Sequence, residues 1–210
     1  RPSTINIYNQ LINNIKLNTN LDIQDNSNTC FGNNTIECLS DYDCGIGDYC
    51  SSVGAKLNRD TERLGDLMHI KGYLDSYGNN SKYCSVNSIP CFNDDDCLGD
   101  TNFCQPHYPL LNSGTFVAGM TTSKWNSWDQ EFSDTLREGI DTDNFYLGTD
   151  PVNEFNGCLE DSDQDTCWNE EAQEFVCPIN SLFYLYEQTS GISYNIGSNF
   201  EFDSVSDLGF

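Results

Sequence analysis

Apolar residues recur at helical spacing through one long stretch of this chain and crowd into short β-like runs in another. Between positions 55 and 77, Leu57, Leu64, Leu67, Met68, Leu74 and Tyr77 are read as one stripe, with Arg59, Asp60, Glu62, Arg63, Asp66 and Lys71 placed elsewhere. That pattern predicts an amphipathic helix, and Gly78-Asn79-Asn80 behind it reads as its stop. Ile5, Tyr8, Ile12 and Ile15, following Pro2-Ser3-Thr4, predict a shorter helix over 5–15. Another is expected over 128–138, with Ser127 as its cap. Near the C-terminus, residues 181–187 and 192–202 are rich in aromatic and β-branched types and flank Thr189-Ser190-Gly191, which predicts a β-hairpin. The expected fold class is α+β: a long helix packed on an antiparallel sheet.

Between these stretches the text is polar. Residues 17–29 read as a loop of Asn, Asp, Thr and Ser, and 141–168 as an acidic loop. Two cysteine clusters, Cys30, Cys38, Cys44, Cys50 and Cys84, Cys91, Cys97, Cys104, have nearly the same intervals. They share local text as well: Cys38-Leu-Ser-Asp-Tyr-Asp-Cys44 against Cys91-Phe-Asn-Asp-Asp-Asp-Cys97. This is an internal repeat. Four cysteines permit several pairings; the spacing favours interleaved bridges, Cys30 with Cys44, Cys38 with Cys50, Cys84 with Cys97 and Cys91 with Cys104. The organisation that follows is an N-terminal helix and linker (1–29), a Cys-rich module (30–54), and a domain over 55–210 with a second Cys-rich module inserted at 84–104.

Composition narrows the function classes. The chain of 210 residues holds 11 Cys and carries 33 acidic against 9 basic residues, a net charge of -24. Cysteines at such density persist in oxidising compartments, so an extracellular, secreted or cell-surface setting is expected. Clustered Lys and Arg are missing from the sequence, which argues against nucleic acid and anionic membrane as partners. No apolar run approaches the ~18 residues of a membrane-spanning helix.

The stretch from Asn58-Arg-Asp-Thr-Glu-Arg-Leu-Gly-Asp-Leu-Met-His-Ile70 to Leu74-Asp-Ser-Tyr77 resembles the helix of bacterial type IV pilin and pseudopilin head domains. Trp125-Asn-Ser-Trp128, Gly148-Thr-Asp150-Pro-Val-Asn153, Thr166-Cys-Trp-Asn169, Phe175-Val-Cys-Pro178 and the hairpin follow in the order such heads use. Over 55–202 the chain looks most like the Cys-bearing heads of surface proteins from small-genome candidate-phylum bacteria. The resemblance implies a pilin-head-like arrangement with extracellular, non-enzymatic, assembly-related work. It departs from the family where a Cys module and polar loop, rather than an apolar helix, precede the helical segment.

Candidate chemistry is concentrated in carboxylates. Asp161, Asp163 and Asp165 alternate, followed by Glu170, and a hard cation takes roughly 6–8 oxygen ligands. Calcium is therefore the expected cofactor in this loop, although the EF-hand pattern fails at Thr166 and Ala172. Asp150 and Asn153 join this set through the resemblance, since related pseudopilin heads use calcium nearby. Asp141 and Asp143 form a second calcium candidate. Asp41, Asp43 and Asp48 parallel Asp94, Asp96 and Asp100, and read first as turn residues bonding their own backbone. Cys158, Cys167 and Cys177 leave at least one cysteine over, open to a free thiol or an intermolecular bridge. Asn33-Asn-Thr35 and Asn79-Asn-Ser81 match the N-glycosylation sequon. His69 and His107 lie in no catalytic motif, and no enzymatic activity is expected. The sequence therefore points to a structural subunit of an extracellular filament or surface layer, a homo-polymer held by disulfides and calcium. The alternative is a secreted adhesin-type module holding a glycan or protein ligand through loops bearing Trp125, Trp128 and Trp168.

Overall fold

The computed structural model describes residues 28–140, 145–176 and 180–202. The helix expected over 5–15, Asp141, Asp143 and Cys177 lie outside the described residues. The chain divides into two compact units, Arg1–Val53 and Gly54–Phe210.

Two crosslinks close the described part of the first unit. Cys30 bridges Cys44 and Cys38 bridges Cys50, with Cα atoms 5.7 and 5.8 Å apart. Backbone bridges Thr29 to Glu37 and Cys30 to Cys50 close the loop ends, and a 3-10 turn, Asp41–Asp43, sits between the crosslinks.

The second unit is mixed α and β, with antiparallel pairing throughout its described strands. Helix α1 runs Val53–Asn80. Strands β1 (Lys82–Cys84) and β2 (Cys104–Pro106) bracket the second Cys module and pair with each other. Its bridges, Cys84–Cys97 and Cys91–Cys104, interleave as in the first module. Strand β3 (Met120–Thr122) follows, then a π-helical turn, Trp128–Phe132, leading into α2 (Ser133–Gly139). Strands β4 (Trp168–Asn169) and β5 (Glu174–Phe175) make a minimal ribbon. The hairpin strands β6 (Tyr184–Ser190) and β7 (Ser193–Ser198) complete a three-stranded sheet ordered β3-β6-β7.

The core forms where these elements bring large side chains together. Leu67, Ile70 and Leu74 of α1 share it with Trp128, Phe132, Leu136, Tyr184 and Tyr186. Alternation along β6 turns Tyr184 and Tyr186 inward, as a strand of period two requires. Their hydroxyls stay satisfied: Tyr184 donates to Asp66 at 2.9 Å and Tyr186 to the Pro109 carbonyl at 2.8 Å.

Three local expectations are corrected. The buried stripe of α1 is Arg59, Arg63, Leu67, Ile70, Leu74 and Gly78, whereas Leu57 and Met68 are exposed. The helix does not stop at Gly78. That residue is a packing glycine, since a Cβ there would lie 2.8 Å from the Tyr108 ring. Ser127 is not a cap either: its backbone is already helical, and its hydroxyl meets that of Thr121 at 2.6 Å.

Candidate functional site

The densest gathering of charge in the described residues is buried in the second unit. Arg59, Asp60 and Arg63 come from successive turns of α1, Asp150 from the turn at 148–153, and Glu201 from the segment after β7. Arg59, Asp60, Arg63 and Asp150 are each no more than 2 % exposed. The planar fork of Arg63 takes Asp150 with two nitrogens, Nε to Oδ2 at 2.7 Å and Nη2 to Oδ1 at 3.0 Å. Its Nη1 reaches Asp60 at 2.7 Å and Glu201 at 3.1 Å. Arg59 grips both oxygens of Glu201 at 2.7 Å. Asp60 also accepts from the backbone N–H groups of Glu201 and Phe202, and Asp150 from those of Val152 and Asn153.

Burying ions is unfavourable unless each finds partners with good geometry. Burial alone would lower the Arg63 pKa; hydrogen bonds and charge from Asp150, with Glu201 and Asp60, outweigh it and raise it above the ordinary arginine value. Beside the cluster, burial first and then the Asp66 and Asp150 charges hold the Tyr184 phenol well above its usual range. No buried side-chain nitrogen or oxygen among the described residues lacks a partner. The arrangement is chemically a clamp. It sets two guanidinium groups against three carboxylates and ties α1, the 148–153 turn and the tail of β7 together.

Among the described residues, the sequence-predicted metal ligands do not converge. Both Asp150 oxygens are engaged by Arg63, so this carboxylate already faces a cation belonging to the protein. Asn153 is spent on Ser123, accepting from its hydroxyl at 2.6 Å and donating to its carbonyl at 3.0 Å. Asp163 accepts through one oxygen from the backbone N–H groups of Asp165 and Thr166 and from the Thr166 hydroxyl. The Thr166 side chain and backbone bonds hold its pKa below the usual carboxylate value. Glu170 accepts from the Trp168 indole at 2.8 Å, while Asp161 and Asp165 are exposed. Calcium needs several oxygens aimed at one point; Asp163 is turned onto its own backbone, and among the described residues no three carboxylates come within 4.8 Å of one another. The donor set does not fit the ion.

Among the described residues, groups of three or more potential ligand atoms within 4.8 Å of one another occur only at Cys30, Cys38, Cys44 and at Cys84, Cys91, Cys97. Those sulfurs are bonded to other sulfurs, and metal binding by cysteine requires thiolate. The fifth bridge joins Cys158 to Cys167.

In the Cys modules the paired aspartates do repeated work. Asp41 accepts from the Cys50 N–H and Asp94 from the Cys104 N–H, both at 2.8 Å. Asp43 accepts from the N–H groups of Leu39 and Ser40; Asp96 does so from Phe92 and Asn93. Those backbone donors depress the pKa of Asp43 and of Asp96. Asp48 accepts from Gly32 and Tyr49, whereas Asp100 is exposed without that partnership.

The loop tryptophans are not surface platforms. Trp125, Trp128 and Trp168 are buried, and each indole N–H has an acceptor: the Thr166 carbonyl, the Gly148 carbonyl and Glu170. The ion clamp is not legible from periodicity alone, because Arg59 and Arg63 read as lying off the apolar stripe. Their spacing of four, in register with Leu67, Ile70 and Leu74, was the available signal.

Compared with protein-family models, with curated proteins and with solved structures, the chain matches none.

Proposed function

We propose that this chain is a non-catalytic extracellular domain of the pilin-head kind, a subunit of a surface filament or layer. The observation that carries the reading is the buried pair of Arg63 with Asp150. It joins the 58–70 and 148–153 segments, two of the stretches on which the resemblance rests, inside one core. A helix and an antiparallel hairpin sheet sharing that core support the same reading. So do five disulfides, which suit a protein of an oxidising compartment. The Arg59, Asp60, Arg63 and Asp150 cluster is buried, which fits a scaffold better than an acid–base catalyst. Electron microscopy of the oxidised chain at rising concentration tests this: rods or sheets are expected, and a protein that sediments as a monomer throughout refutes the polymer.

A second reading, an adhesin-type binding domain, is favoured by the large apolar side chains that stand out from both Cys modules. Binding without assembly would select it.

A further inference from the structure

The two Cys modules agree in what they close and in what they expose. Each uses the same pair of interleaved bridges and the same aspartate-to-backbone bonds, so their polar interiors are already satisfied. The residue after the second cysteine is apolar and outward in both: Leu39 at 77 % exposed and Phe92 at 90 %. The turn after the third cysteine carries Ile46 in one and Leu98 in the other, again with most of the side chain in water. A Ser or Asn would suit either turn and avoid wetting an apolar side chain. Folding therefore does not account for these four residues. Isolated apolar residues on a surface are ordinary, but here Leu39 and Phe92 repeat one position and an exposed apolar residue follows within two residues of the third cysteine in both modules, a recurring feature that points to contact.

Charge identifies the contact. Residues 30–50 contain Glu37, Asp41, Asp43 and Asp48, and residues 84–104 contain Asp94, Asp95, Asp96 and Asp100, with no Lys, Arg or His in either stretch. A module whose charges are all acidic repels a second such module, and also nucleic acid and anionic lipid. It suits a basic surface that offers apolar side chains.

We propose that each Cys module is a docking knob for a lysine- or arginine-rich, apolar-faced segment of a partner protein, read by Leu39 and Ile46 in the first and by Phe92 and Leu98 in the second. This rests on the binding-domain reading and not on polymer formation. The test titrates a synthetic amphipathic leucine–lysine helix into the full oxidised chain, following fluorescence anisotropy at low and physiological salt. Two sites are expected for the parent chain, one for L39S/I46S, one for F92S/L98S, and a loss of affinity on the order of tenfold or more for the fourfold variant. D95N/D100N, which alters exposed carboxylates outside the closing bonds, is expected to weaken the second site and flatten its salt dependence. Y146S/I192S, exposed apolar residues elsewhere, is expected to bind as the parent does. Equal binding by the parent and fourfold chains, or none by the parent, overturns the proposal. So does parent self-association that the fourfold variant abolishes, since the occupant would then be a second copy. Sedimentation without peptide tests the filament reading separately.

Discussion

Arg63 occupies a helix position where the stripe would ordinarily call for leucine, and its replacement separates packing from charge. Arg63→Met keeps much of the apolar stem but leaves Asp60 and Asp150, both buried, without their Arg63 partner. Removing one member of a buried ion pair costs about 3–5 kcal/mol. Arg63→Met is therefore expected to lower the unfolding free energy by that much, read by chemical unfolding under oxidising conditions. Arg63→Lys restores the charge without the two-pronged grip on Asp150, and is expected to recover only part of the loss. A Met variant as stable as the parent would mean the cluster is not a clamp. This is also the residue that sequence periodicity handles worst: a buried arginine and a solvated one are written with the same letter, and only the partner decades away in sequence distinguishes them.

At the level of elements, what could be read depended on how far a pattern ran. The long helix and the β6–β7 hairpin carry enough periodic text to be seen, although the turn is Gly191-Ile192 rather than Thr189-Ser190-Gly191, the first two of which belong to β6. Strands of two or three residues, such as β3, β4 and β5, leave no usable pattern, because their pairing is fixed by neighbours contributed from elsewhere in the chain. The disulfide interleaving could be inferred because two copies of one spacing constrain each other. The calcium expectation turns on a related ambiguity: alternating aspartates serve a cation or their own backbone equally well, and Asp163 serves the backbone. The same chemistry makes the Cys turns acid-sensitive. Asp43 and Asp96 have folded pKa values below the ordinary 3.8. Their contribution is therefore whole above that value and is lost as pH falls through the lower folded pKa. Amide exchange at Leu39, Ser40, Phe92 and Asn93 is expected to report opening of these turns on acidification below pH 3.8. D43A and D96A should show the opening at neutral pH. Exchange that does not respond to acid would remove the aspartates as the closing groups.

For the whole molecule, a net charge of -24 acts against compactness, and the opposing forces are now identifiable. Crosslinks close the Cys modules and a sealed ion cluster ties the second unit. Because the described carboxylates do not converge on a cation site, melting curves with excess EDTA and with millimolar calcium are expected to coincide. A rise in melting temperature specific to calcium would show that the 160–171 loop rearranges around the ion.

In each Cys module, the atoms that shut the loop are sulfurs, Asp41 or Asp94, and backbone N–H groups, while the side chains reaching outward take no part in closure. Mutations at those tips should then be nearly silent for folding, leaving the two copies at liberty to diverge toward different targets while the frame beneath them stays the same.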